Sequence, residues 1–365
     1  MSLEKMTPPV RQALTPIVQK WQAFVPKFQG RVQEVEAEAN AGLDQLIAAH
    51  ATDHGPMGAA FGALQARFNG LTTKLSDAWE KIDNQMDEAL DELDDQVTSA
   101  DWEAWSALRD AMVNQEREIL EATDVKYQEI EMRKNADWSR RLRELAQQEI
   151  QKGAPCSECG SPFPIKVYWQ ASQEMCPHCN AVIDVQPGMA AGLFHQGLGA
   201  HSLAQEAAWG EWMAERKAKN AFDARRCPTA YDHWLYLQAA HAYYTRYYQE
   251  GLKVHPGFTE NVEQAVAAKM QHYTAWDQPI QKQQRDYFGQ LVDYAGKGMV
   301  NELQALLTQR PHHIDLDDCG YALVERGLLQ AAEFVYTVKY TEDGEDGSKK
   351  AYAQEQIRDA IKILR

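Results

Sequence analysis

Four of the six cysteines in this 365-residue chain fall in two close pairs. Cys156-Ser-Glu-Cys159 is followed by Gly160, and Cys176-Pro-His-Cys179 is followed by Asn180. A two-residue gap lets a tight turn aim both thiolates at one ion, and two such turns complete a tetrahedral set of sulfurs. Each second cysteine should be followed by left-handed backbone, which glycine and asparagine adopt at least cost. Four thiolates leave no coordination position for a substrate, so the expected role of the ion is structural. The expected metal is Zn2+, one per chain, on Cys156, Cys159, Cys176 and Cys179. His178 lies between two ligands and reads as exposed and outside the ligand set.

This pattern, over residues 153–187, resembles the zinc ribbon family. The resemblance implies a small β module closed by one structural ion. Rubredoxins also pair two such turns, around redox-active iron, but their intervening segment is usually longer and acidic. Here it is short and aromatic, which favours zinc. Ile165–Gln170 and Glu174–Met175 are expected to form a short hairpin, with Ala181–Val185 as another strand. Many zinc ribbons serve transcription or RNA machinery, and Lys166, Tyr168 and Trp169 have side chains suited to pairing with or stacking on nucleotides.

The surrounding charge points away from nucleic acid as the main partner. The chain carries a net charge of −16, and affinity for phosphate backbones comes largely from Lys and Arg. The ribbon itself is net negative. The helix leading into it carries Arg133, Lys134, Arg140, Arg141 and Arg143, but Glu129, Glu131, Asp137 and Glu144 interleave with them. That reads as a charge-laced helix face.

Candidate catalytic groups are sparse. None of the sequence signatures of phosphate-binding loops, dinucleotide folds, serine hydrolases or zinc proteases occurs. Nor does any Glu-x-x-His, the pairing of di-iron carboxylate bundles. Histidines 195, 201, 233, 241, 255 and 272 lie in an aromatic-rich region, and a cryptic site in 188–290 is one reading of them. Hydrogen-bonded histidines at helix ends are the simpler reading. Cys227 and Cys319 stand alone; Arg225 and Arg226 would favour the Cys227 thiolate if they faced it. No catalytic residue is assigned.

The elements that must position these groups are mainly helical. From Phe61, apolar residues recur at Leu64, Phe68, Leu71, Leu75, Trp79, Ile82, Met86, Leu90, Leu93 and Val97 in steps of three and four. The series Leu64, Leu75, Met86, Val97 repeats every eleven residues, favouring a nearly straight or slightly right-handed coil. An earlier stripe runs through Leu14, Val18, Trp21, Val25, Phe28, Val32, Val35 and Leu43, where Pro16 and Pro26 should start or kink the helix. His50–Gly55–Pro56 marks a turn. Thr98, Ser99 and Asp101 offer caps for a third helix reaching about Lys152.

The expected fold class is therefore mainly α, in four parts. Residues 1–152 form an elongated antiparallel long-helix bundle, coiled-coil-like, and 153–187 the ribbon. Residues 188–292 form an aromatic-rich helical domain, interrupted at Cys227–Pro228, His255–Pro256–Gly257 and Asp277–Gln278–Pro279. Residues 293–365 hold the last helices. There, Tyr294–Leu307 with turn residue Gly298, and Asp317–Leu323 with a later Gly327, resemble ankyrin helix pairs. That resemblance implies a protein-binding surface, with Val300, Leu303, Leu306 and Leu307, then Leu329, Ala332, Phe334 and Val335, as packed stripes. Thr341–Lys350 reads as a polar loop before a last amphipathic helix.

The start MSLEKMTPPV lacks the apolar core of a signal peptide, and no stretch approaches a membrane span. Cysteines in metal-type pairs suit a reducing compartment. The expectation is a cytoplasmic, non-enzymatic scaffold or adaptor with protein partners, and a homo-oligomer through the N-terminal helices. The alternatives are a zinc-ribbon regulatory protein associated with nucleic acid, and an enzyme with a site in 188–290.

Overall fold

The computed structural model describes residues 3–93, 96–163, 171–186, 188–196, 199–275 and 278–342, with 353, 356, 357 and 361. Among these the protein is mainly α. Twelve helices accompany two antiparallel hairpins of two strands each. Contacts divide the chain into two units, Met1–Glu206 and Ala207–Arg365.

The first unit is built on α1 (Pro8–His50), α2 (His54–Asp91) and α3 (Ser99–Lys152). At 1.5 Å per residue, the 54 residues of α3 span about 80 Å. Its start is set by a capping box, in which Thr98 and Asp101 satisfy each other's backbone N–H groups. Side-chain bonds fix the register. Trp21 Nε1 donates to Gln115 Oε1 at 2.9 Å, Lys134 Nζ to Asp44 at 2.6 Å, and Trp138 Nε1 to the Ala51 carbonyl at 2.7 Å. Position along α1 thus rises with position along α3, and the two run parallel. Against α2 the order reverses, since Trp21 meets Trp79 while Arg67 pairs with Glu38, so α2 is antiparallel to both.

Most of both expected stripes forms the core, with Val32 and Leu93 only half-buried. Leu14, Val18, Trp21, Val25, Phe28, Val35 and Leu43 are buried on α1; Leu64, Phe68, Leu71, Leu75, Trp79, Ile82, Met86 and Leu90 are buried on α2. Two details differ. α1 begins at Pro8, so neither Pro16 nor Pro26 starts it; both lie inside the helix, whose buried stripe packs along α2 and α3. The eleven-residue series ends early, because α2 stops at Asp91 and leaves Val97 beyond it.

After α3 come β1 (Ala154–Pro155), β2 (Pro162–Phe163), β3 (Ser172–Met175) and β4 (Val182–Val185), then α4 (Met189–Gln196) and α5 (Gly199–Ala207). Glu149, near the end of α3, accepts the backbone N–H groups of Ala190 and Ala191 at 3.2 and 3.1 Å. It supplies the cap that α4 needs, a carboxylate at the positive end of the helix.

The second unit holds α6 (Trp209–Asp223), α7 (Ala230–Val254), α8 (Val262–Ala275), α9 (Pro279–Gly296), α10 (Val300–Thr308), α11 (Leu316–Val324) and α12 (Leu329–Glu342). The expected breaks at Cys227–Pro228, at His255–Pro256–Gly257 and before Pro279 all fall between helices. α7 packs against α6, α8 and α9. Gly298 and Gly327 take left-handed backbone, φ +68° and +71°, in the α9–α10 and α11–α12 turns. Leu303, Leu307, Ala332 and Val335 are buried as expected, whereas Val300 and Leu329, at the first positions of their helices, are exposed. Ala353 and Ile357 are buried in the same core, and Ile361 packs on it. The rest of the expected last helix, apart from 356, lies outside the described residues. Thr341 and Glu342 belong to α12, while 343–350 lie outside the described residues.

Candidate metal centre

Each cysteine pair sits at the tip of its own hairpin. β1 pairs with β2 around Cys156–Cys159, and β3 pairs with β4 around Cys176–Cys179. The expected first strand, Ile165–Gln170, lies outside the described residues, as do Lys166, Tyr168 and Trp169. The 172–175 strand pairs with β4.

The two turns repeat the same hydrogen bonds. The N–H groups of Gly160 and Asn180 donate to the carbonyls of Cys156 and Cys176, each at 2.9 Å. The N–H groups of Cys156 and Cys176 donate to the carbonyls of Ser161 and Ala181, at 3.0 and 2.9 Å. Gly160 and Asn180 take φ +72° and +59°. Closing these turns needs left-handed backbone at that position, as the residue types imply.

Four sulfurs converge within 4.8 Å of one another. Cys156 Sγ lies 3.6 Å from Cys179 Sγ, and Cys159 Sγ lies 3.8 Å from Cys176 Sγ. An ion with metal–sulfur bonds of about 2.3 Å in a regular tetrahedron sets its sulfurs about 3.8 Å apart. The cluster therefore has the dimensions of a four-thiolate site and is far too open for disulfides, whose sulfurs stand about 2 Å apart.

The surroundings suit thiolates. The backbone N–H of His178 points at Cys176 Sγ at 3.4 Å. The Ser161 amide, with its hydroxyl, holds the Cys159 thiol down to about 6. The Ala181 amide acts the same way on Cys179, but partial desolvation and the three neighbouring thiols outweigh it and push that group up to about 12. An ion that displaces these protons removes the conflict, so metal binding is linked to proton release. Cys156 and Cys176 are buried with Phe163, Ile183 and Val185, while Cys159 and Cys179 face outward. His178 is exposed and outside the sulfur cluster.

Gly153 joins this module to α3. It holds φ +68°, and a Cβ there would lie 2.8 Å from the Phe163 carbonyl oxygen. Sequence reading missed this requirement, although a glycine directly after a helix ending in Lys152 is its usual signal.

Among the described residues, the cysteines are the one group of three or more His, Cys, Asp or Glu placed to hold an ion. His195 is in α4, His201 in α5, His233 and His241 in α7, His255 at the end of α7 and His272 in α8. Cys227 and Cys319 are both buried in the core of the second unit. Burial first, then Asp318 and Glu325, raises the Cys227 thiol and overrides Arg226. Burial raises Cys319 to about 12. Burial thus works against the thiolate that Arg225 and Arg226 would favour at Cys227.

The charge-laced face of α3 is as expected. Arg133 pairs with Glu129, Lys134 with Asp44 and Asp137, Arg140 with Asp137 and Glu206, and Arg141 with Glu144. No described helix is long and apolar enough to cross a membrane. No known protein family, curated protein or solved structure matches the chain.

Proposed function

We propose that this chain is a cytoplasmic, non-enzymatic scaffold or adaptor whose four cysteines hold one structural zinc ion. The observation carrying the reading is the continuity of α3 with the metal centre. The helix runs 54 residues from its Thr98 cap, ends at Gly153, and the first ligand, Cys156, comes at once after it. In this arrangement the bundle sets a distance and the ion stiffens the module at its end. A closed four-sulfur site adds folding free energy and leaves no position for a substrate.

Exposed apolar side chains supply places for partners. Met175 and Val182 are cross-strand neighbours beside the second cysteine pair, each 64% exposed. On α7, Tyr231 and Trp234 stack at 5.7 Å while 64% and 50% exposed. On the bundle, Trp102 is 45% exposed and meets Trp105 edge-on. We assign Trp102 to self-association through α1–α3, and the α7 face to another protein.

Native mass spectrometry of the full chain reads metal and subunit number together. One zinc per chain in a defined oligomer, reduced to monomer by Trp102→Glu, supports the scaffold. A chain without metal would refute the zinc assignment. Turnover of a substrate, lost on replacing a histidine within 188–290, would refute the non-enzymatic reading.

A further inference from the structure

A cavity of about 350 Å3 opens in the second unit, where the α6–α7 connection meets α9 and α11. Pockets for small molecules begin at about this size. Its lining is cationic in a chain of net charge −16, with Arg225, Arg226 and Arg285 against the single carboxylate of Asp318. Arg285 is almost wholly buried, at 7% exposed. Gln281 and Gln284, in the first turns of α9, add amide hydrogen-bonding groups. The cavity therefore also lies by the positive end of an 18-residue helix.

Of the acids beside Arg225 and Arg226, Glu325 also pairs with Arg326, and Asp318 faces Arg226. Arg225 Nη1 meets a neutral acceptor, the Glu325 carbonyl oxygen, at 3.5 Å. The Glu325 carboxylate is taken by the Arg226 backbone N–H and by Arg326. Arg226 stacks over Tyr321 at 4.7 Å and reaches Asp318 at the long distance of 3.6 Å. Phe222 and Phe288 supply apolar wall. Guanidinium groups are planar forks matched to pairs of oxyanion oxygens, and their attraction strengthens where water is partly excluded. The lining holds more guanidinium groups than carboxylates, which suits a phosphate monoester carrying about −2 near neutral pH.

We propose that this cavity binds a small phosphate-bearing molecule, with Arg225 as its principal contact and Arg285 in its wall. The assignment is independent of the metal centre and of the scaffold reading.

Isothermal titration of the full-length protein with inorganic phosphate, at fixed ionic strength and with acetate and sulfate for comparison, tests it. Phosphate should bind with a Kd near or below about 1 mM, and acetate far more weakly. Arg225→Gln should weaken phosphate about tenfold or more, as expected for losing one charged hydrogen bond. Arg285→Gln should do the same, but its burial makes misfolding a competing outcome, so Arg225→Gln with an unchanged melting temperature is decisive. Arg133→Gln, on α3, should leave binding unchanged. Phosphate should bind more tightly at pH 7.5 than at pH 5.5, following its second ionisation, while sulfate stays level. No heat up to about 10 mM phosphate, equal binding of acetate, or wild-type binding by a folded Arg225→Gln protein would overturn the proposal.

Discussion

At the scale of single residues, the metal centre depends on the residue after each second cysteine. Gly160 and Asn180 occupy equivalent left-handed positions, but one has no Cβ and the other does. A Cβ added at Gly160 meets nothing within 4 Å, so backbone conformation alone decides the cost. Gly160→Ala should therefore cost about 1–2 kcal/mol, or roughly tenfold in zinc affinity. Asn180→Gly should be neutral or slightly stabilising, because it relieves that strain. Competition against a chelator of known affinity measures both. Equal losses from the two changes would show that side-chain contacts, not backbone hand, set the geometry.

At the scale of elements, one carboxylate ties two helix starts together. Asp101 closes the capping box of α3 through Thr98, and it also accepts the Thr7 backbone N–H at 2.7 Å and the Thr7 hydroxyl at 3.1 Å, at the start of α1. The side chain is buried, 1% exposed. Burial alone would raise its pKa, but the bonds from Thr7 and Thr98 outweigh it and hold the group below the usual range. A depressed folded-state value makes the stabilisation complete above the unfolded carboxylate range, about pH 4, and lost as pH falls through the lower folded value. Asp101→Ala should cost about 2 kcal/mol at pH 7, roughly one cap for each helix. Urea titrations at several pH values should show the gap to wild type shrinking only below about pH 4. A gap independent of pH would mean that the carboxylate charge is irrelevant. Gly320 makes the opposite kind of demand. A Cβ there would lie 2.3 Å from the Tyr336 ring, so Gly320→Ala should force α11 and α12 apart at about 1–3 kcal/mol, read by thermal melting.

At the scale of the molecule, metal and helices are separable sources of stability. α1–α3 bury their own stripes, and the second unit has its own core from Phe288 and Leu291 to Val335. The ribbon's buried cluster amounts to Cys156, Phe163, Cys176, Ile183 and Val185, too little to hold a fold without an ion. Cys156→Ser should thus abolish stoichiometric zinc and expose the described amides of 153–186 to hydrogen exchange. Helical circular dichroism should fall by only a few per cent. A large loss of helix would show that the ion governs the bundle as well.

What the chain specified locally could be read locally. The two cysteine turns, the Thr98 cap, the glycines of the α9–α10 and α11–α12 turns and the long apolar stripes each rest on residues a few positions apart. Their physics is that of backbone conformation and helical period. The start of α1 at Pro8, ahead of Pro16 and Pro26, was not legible, because proline's local cost is real but packing along two neighbouring helices decides whether a helix continues through it. Tertiary structure alone decided the rest. Asp101 finds Thr7 across 94 residues, and Glu149 caps α4 across 41. Arg225 and Arg285 come to one cavity from different elements, and no period or spacing joins them. Such contacts arise from which helix faces meet, a choice made by burial of the whole apolar surface.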